Sequence, residues 1–204
     1  MSADTQVRPY RQVARAAATE ETRRRIVAAF AAALERLWLD EITLDDVAAA
    51  AGTTRQTVIR LFGGKDGLLA AVAERMSEEV ARRRALPRAA TPPAIAHAIV
   101  EDYEASGDMV ARLLAQEGRH PALGTVLARG RRGHRAWVTE VFAAPLAAAP
   151  QAAREALVDR LVLATDVYNW KLLRRDMGRS RCATEAAVAA LIAAILAERS
   201  AHHG

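Results

Sequence analysis

From Thr22 onward the apolar residues Ile26, Val27, Phe30, Leu34 and Leu37 recur at spacings of three and four. Such spacing places them on one face of a helix. Thr19 is a candidate N-cap for that helix, and residues 1–19 ahead of it read as a flexible basic arm interrupted by Pro9. Leu39-Asp40-Glu41-Ile42 breaks the stripe. Thr43-Leu44-Asp45-Asp46 then has the form of a capping box, with an acid three residues after the capping hydroxyl. The helix it opens is short, because Ala48–Ala51 runs into Gly52, a residue suited to the left-handed turn after a helix. Thr53 or Thr54 caps a third helix that ends at Phe62 before Gly63-Gly64. A fourth, longer helix starts near Lys65, carries Leu68, Leu69, Val72, Met76 and Val80, and ends in Arg82-Arg83-Arg84.

Beyond Pro87 and Pro92-Pro93 the pattern is helical throughout, which puts a domain boundary near residue 88. It predicts helices over 92–105, 107–117 and 121–148. Another of about 26 residues follows Pro150 and stops before Gly178, and a last one, capped by Ser180 or Thr184, ends near Arg199. No alternating strand pattern and no internal repeat is present. The expected architecture is all-α, with about nine helices. An N-terminal three-helix unit (residues 20–66) is followed by a connecting helix (67–88) and a second helical domain (89–204).

Composition narrows this further. Of the 204 residues, 48 are Ala and 27 Arg against 2 Lys, whereas aromatics make up 4%. Ala, Leu and Arg favour helices, and the shortage of β-formers argues against sheet. A core rich in Ala must be built from closely approaching helices. The net charge of +5 permits a nucleic-acid partner without demanding one. The single Cys182 excludes an intramolecular disulfide framework and a cysteine-based zinc site. No apolar run is long enough for a membrane span, and the N-terminus lacks a signal-peptide core, so a cytoplasmic protein is expected. Enzyme readings find little support. His97, His120 and His134 lack the spacing of helical metal ligands, and Gly63-Gly64-Lys65 lacks the rest of a phosphate-cradling loop. No metal or cofactor is implied.

The strongest chemical signal is helix 43–51, a turn at Gly52 and helix 54–62. Two short helices crossing through a Gly-bearing turn can lay the second into a major groove. Val47, Ala48, Ala51, Val58 and Phe62 fall where the helices touch. The outward face carries Thr53, Thr54, Arg55, Gln56, Ile59 and Arg60. Arg can bond guanine bidentately, Gln can bond adenine, and Thr can meet a phosphate or a thymine methyl.

The stretch from Ile42 to Leu69, ITLDDVAAAAGTTRQTVIRLFGGKDGLL, resembles the DNA-binding domain of the tetracycline-repressor (TetR) family. Its cap, its Ala-Gly turn, Thr57, the Phe62-Gly63-Gly64-Lys65 corner and the paired leucines stand in register. More weakly, Asp166–Asp176 resembles the penultimate helix of actinobacterial members. The resemblance implies a homodimer that binds a palindromic DNA operator, with a variable ligand-binding domain after residue 88. It matches Thr54, Arg55 and Gln56 to base-reading positions, joined by Ile59, and Thr43, Thr53, Arg60 and Lys65 to the phosphate side. Arg8, Arg11 and Arg15 become candidates for a minor-groove arm. The sequence departs from the family at Ile59 and Leu61, where phosphate-contacting aromatics are usual.

For the second domain, the ligand-pocket candidates are Tyr103, Met109, Leu113, Trp137, Phe142, Asn169 and Trp170. The candidates for a dimer interface on the last two long helices are Leu161, Tyr168, Leu172, Val188, Leu191 and Ile195. The expected function is a sequence-specific transcriptional repressor released from its operator by a largely apolar small molecule. An activator, a ligand-independent regulator and a helical protein-interaction module are the alternatives.

Overall fold

The computed structural model describes residues 7–87 and 89–201, with side chains from 15 to 198 except 88. Among them no residue lies in a strand, and the fold is all-α. The helices are α1 (Val7–Leu34), α2 (Leu44–Ala50), α3 (Arg55–Phe62), α4 (Lys65–Arg83) and α5 (Pro92–Leu114). They continue with α6 (Pro121–Val141), α7 (Ala143–Ala147), α8 (Arg154–Ala164), α9 (Val167–Lys171) and α10 (Arg181–Ala201). Two compact units are present, Met1–Glu74 and Arg75–Gly204, and their boundary falls inside α4.

In the first unit Ile26, Phe30 and Leu34 of α1 are buried with Val47 and Ala48 of α2, Val58 of α3 and Leu68, Leu69 and Val72 of α4. Thr43 caps α2 by accepting the Asp46 N–H at 3.1 Å, and its hydroxyl donates to the Asp46 carboxylate. Thr54, not Thr53, caps α3, accepting from the Thr57 N–H at 3.2 Å. The helix α1 begins well ahead of the expected start. Thr19 lies inside it, its hydroxyl bonded back to the Arg15 carbonyl, so the segment from Val7 to Thr19 is helical rather than an open arm.

The second unit buries Ile95, Ile99 and Val100 of α5 with Val138, Phe142, Leu157, Leu161, Trp170, Val188 and Ile192. Three expected boundaries move. The break predicted at Ser106-Gly107 does not occur, because Ser106 bonds back to the Asp102 carbonyl and α5 runs on to Leu114. Gly107 is there for space: a Cβ at this position would stand 2.4 Å from the Trp170 ring. The helix expected over 121–148 is interrupted at Phe142, and the one after Pro150 is interrupted at Thr165, where Asp166 caps the new helix α9 through the Tyr168 N–H. Residues Leu172–Asp176 extend α9 as a π-helical turn. Ser180 caps α10, accepting from the Ala183 N–H at 3.1 Å, and Thr184 is buried one turn later.

Candidate nucleic-acid interface

The reading head is assembled from local rules. Gly52, at φ +61°, turns the chain between α2 and α3, and Gly63, at φ +75°, ends α3 in the left-handed region that favours glycine. The corner into α4 is closer still. A Cβ at Gly67 would lie 1.8 Å from the Phe62 carbonyl oxygen, so only glycine lets α4 start against the end of α3. Arg23 of α1 locks the same end, donating to the Leu61 carbonyl at 2.9 Å with its guanidinium 4.6 Å from the Phe62 ring centroid. That contact spans 38 residues, and the helical pattern of α1 gives no sign of it.

With Val58 buried beneath, α3 presents Thr54, Arg55, Gln56, Ile59 and Arg60 to solvent. Ile59 is 42% exposed, which is unusual for a large aliphatic residue and places an apolar group among polar readers. Thr53 is half-buried and Thr43 is exposed. Arg55 is held by Asp45 of α2, Nη1 to carboxylate, at 3.2 Å. Lys65 is placed differently from a free phosphate ligand: its ammonium donates to the Leu39 carbonyl at 3.0 Å, tying the start of α4 to the turn before α2. Of the arm candidates, Arg15 is exposed on α1, and the side chains of Arg8 and Arg11 lie outside the described residues.

In the second unit most pocket candidates are packed as core. Phe142, Trp170, Tyr103, Met109 and Leu113 are buried. Asn169 donates to the Leu163 carbonyl, and Trp170 donates its indole N–H to Glu104 at 2.9 Å. Arg174 binds both Glu104 oxygens and holds that carboxyl down to about 2. The space between Tyr103 and Trp137 is filled by the Arg84 guanidinium, 4.9 and 5.3 Å from their ring centroids. Arg84 is also bonded to the buried Asp102 at 2.7 Å and to His134 Nδ1 at 3.0 Å. Burial, and next the charge of Arg84, push the His134 imidazole down to about 4. Burial pushes the Tyr103 phenol up to about 12, and its hydroxyl donates to the Thr165 carbonyl. Arg84 closes the basic run Arg82-Arg83-Arg84, and nothing in the local pattern links it to Asp102, 18 residues on.

The interface candidates divide. Leu161 and Val188 lie in the core of the second unit, and Ile195 is half-buried. Tyr168, Leu172 and Leu191 are 57%, 49% and 46% exposed, and Leu163 of α8 and Met177 after α9 add to the exposed apolar surface. Among the described residues no group of three or more metal-ligating side chains converges, and no helix is long and apolar enough to cross a membrane.

Two short helices joined through a Gly-bearing turn form a helix-turn-helix, the geometry by which DNA-binding proteins lay a helix in the major groove. Residues 31–72 match the model of the bacterial regulatory proteins of the tetR family. A tetR-family transcriptional regulator from Streptomyces coelicolor superposes with a TM-score of 0.73 at 21% identity, over 90% of this chain and 83% of that one. A transcriptional regulator from Rhodococcus sp. RHA1 gives 0.68 at 18%, over 86% and 96%. A TetR transcriptional regulator from Rhodococcus sp. RHA1 gives 0.51 at 18%, over 86% and 94%. No curated protein matches the sequence. The helix-turn-helix motif and the fold are those of TetR-family transcriptional regulators.

Proposed function

We propose that this chain is a sequence-specific repressor that binds a palindromic operator as a homodimer and leaves it when a small molecule binds. The exposed row Thr54, Arg55, Gln56 and Ile59, on a helix fixed by Arg23 and Gly67, carries the reading. It offers donors for guanine, a donor–acceptor pair for adenine and an apolar contact for a thymine methyl. Thr43, Thr53 and Arg60 stand on the phosphate side. Lys65 serves it indirectly, by fixing the corner from which α3 projects. One such helix spans few base pairs, so the function needs two copies, about 34–36 Å apart on the duplex. The exposed Tyr168, Leu172 and Leu191 supply an apolar surface suited to pairing the second unit with its copy.

The effector enters the second unit, where the core around Tyr103, Met109, Leu113, Phe142 and Trp170 is apolar with few polar groups. A ligand entering between Tyr103 and Trp137 has to move the Arg84 guanidinium. Emptying an operator from 99:1 to 1:99 takes about 5.5 kcal/mol of differential affinity.

The test is selection from a random duplex library, followed by titration of the enriched sequences at two salt concentrations. A palindrome with half-sites about one helical turn apart is the expected product. Binding that depends on salt and is indifferent to sequence would overturn the operator reading.

A further inference from the structure

Arg55 brings a second residue into the reading head. From the first position of α3 its Nη1 reaches back 3.2 Å to the carboxylate of Asp45, in the first turn of α2. Both side chains are open to water, 59% and 67% exposed. An ion pair so exposed contributes at most about 1 kcal/mol to folding. Its place beside the reading face gives it another consequence. A guanidinium carries five donors in a rigid fork. Asp45 engages Nη1, which leaves Nη2 and Nε free, and two donors are what guanine O6 and N7 require.

The choice of acceptor is biased by charge. A guanine edge is neutral and can be bonded while Asp45 keeps its hold behind the arginine. A phosphate is an anion, so it meets a guanidinium already paired and is repelled by Asp45 itself, with Asp46 adding a second negative charge in the same turn. Arg60, in the last turn of the same helix, is exposed and lies away from Asp45 and Asp46 in sequence.

We infer that Asp45 is a specificity-determining residue, which positions the Arg55 guanidinium for a guanine edge and opposes its use as a phosphate clamp. The inference rests on the operator reading above.

The experiment uses the full chain as wild type, D45A, D45N, R55A and D45A/R55A, each checked for helicity by circular dichroism. Every protein is passed through the duplex selection and titrated against salt. D45A should lower the guanine preference at one half-site position about tenfold, while non-specific affinity rises. Its log-affinity should fall more steeply with log salt, by roughly one in slope. R55A should abolish the same preference, and D45A should change nothing further in that background. D45N keeps an acceptor without the charge, and its salt slope should match that of D45A.

The inference is overturned if D45A leaves preference and slope at the wild-type values while R55A changes them. It is overturned equally if D45A has the same effect with and without Arg55, because Asp45 would then act as a general charge. If the wild type itself enriches no sequence, the operator reading fails, and this inference with it.

Discussion

In the N-terminal unit Arg55 reaches Asp45 across open solvent, whereas in the C-terminal unit Arg84 reaches an Asp102 that is wholly buried. The two pairs have the same chemistry, but the exposed one is a single contact at 3.2 Å and the buried one has two donors at 2.7 and 2.6 Å. The exposed one contributes little to folding, because water and salt already screen it. The buried one is surrounded by Tyr103, Trp137 and His134, and losing Asp102 strands the Arg84 charge in the core, whereas Asp102 is held by Arg83 as well, at 3.1 Å. Arginine is abundant in this chain, and the contrast separates arginines left open to a partner from those whose charge is spent on the fold.

The largest effect expected from that contrast is at Asp102. D102A should lower the stability of the protein by about 3–5 kcal/mol, read as a shift in urea midpoint, because Arg84 is left buried and unpaired. The same change at Asp45 should move the midpoint by less than about 1 kcal/mol. Equal losses at the two sites would erase the distinction.

A second test sharpens the buried side. The folded His134 titrates at about 4 and the unfolded imidazole near 6.5, so between these values the unfolded chain binds more protons. Stability is therefore complete above about pH 6.5 and falls as the pH drops through about 4, by about 3 kcal/mol in all. Urea midpoints measured from pH 7 to pH 4 should follow that course, and His134→Gln should flatten it.

The smallest effect concerns α6, where Gly130 and Gly133 sit within a helix with open space where a Cβ would be. G130A and G133A should each raise stability by about 1 kcal/mol through helix propensity alone, as measured by thermal and urea unfolding. A loss instead would mean that something packs over those glycines.

The first unit was legible because each of its signals is local. Thr43 and Thr54 cap helices a few residues long, Gly52 and Gly63 turn the chain, and the alternation of Val58 with exposed neighbours assigns the faces of α3. The second unit was legible only as helical. Whether Gly107 breaks a helix or admits the Trp170 ring depends on a residue 63 positions away, and local pattern carries nothing at that range. The interruptions at Phe142 and Thr165 have the same origin. Phe142 is drawn into the core, and the Thr165 hydroxyl bonds back to the Leu161 carbonyl and meets His134. Within the reading head the contacts missed were likewise distant ones, Arg23 on Leu61 and Lys65 on Leu39.

The three tryptophans are distributed so that the molecule contains its own optical reporters. Trp38 belongs to the first unit and is 42% exposed, whereas Trp170 is almost wholly enclosed, seated over Gly107 with the Arg175 guanidinium 4.5 Å from its ring. Trp137, half-buried beside Arg84 and His134, is the second tryptophan of that unit, so the emission of the two units should differ in colour and in access to a dissolved quencher. Light from Trp38 follows the unit that carries the helix-turn-helix, and light from Trp137 and Trp170 follows the second unit. A single cuvette can then time events in the two halves of the chain without any label attached.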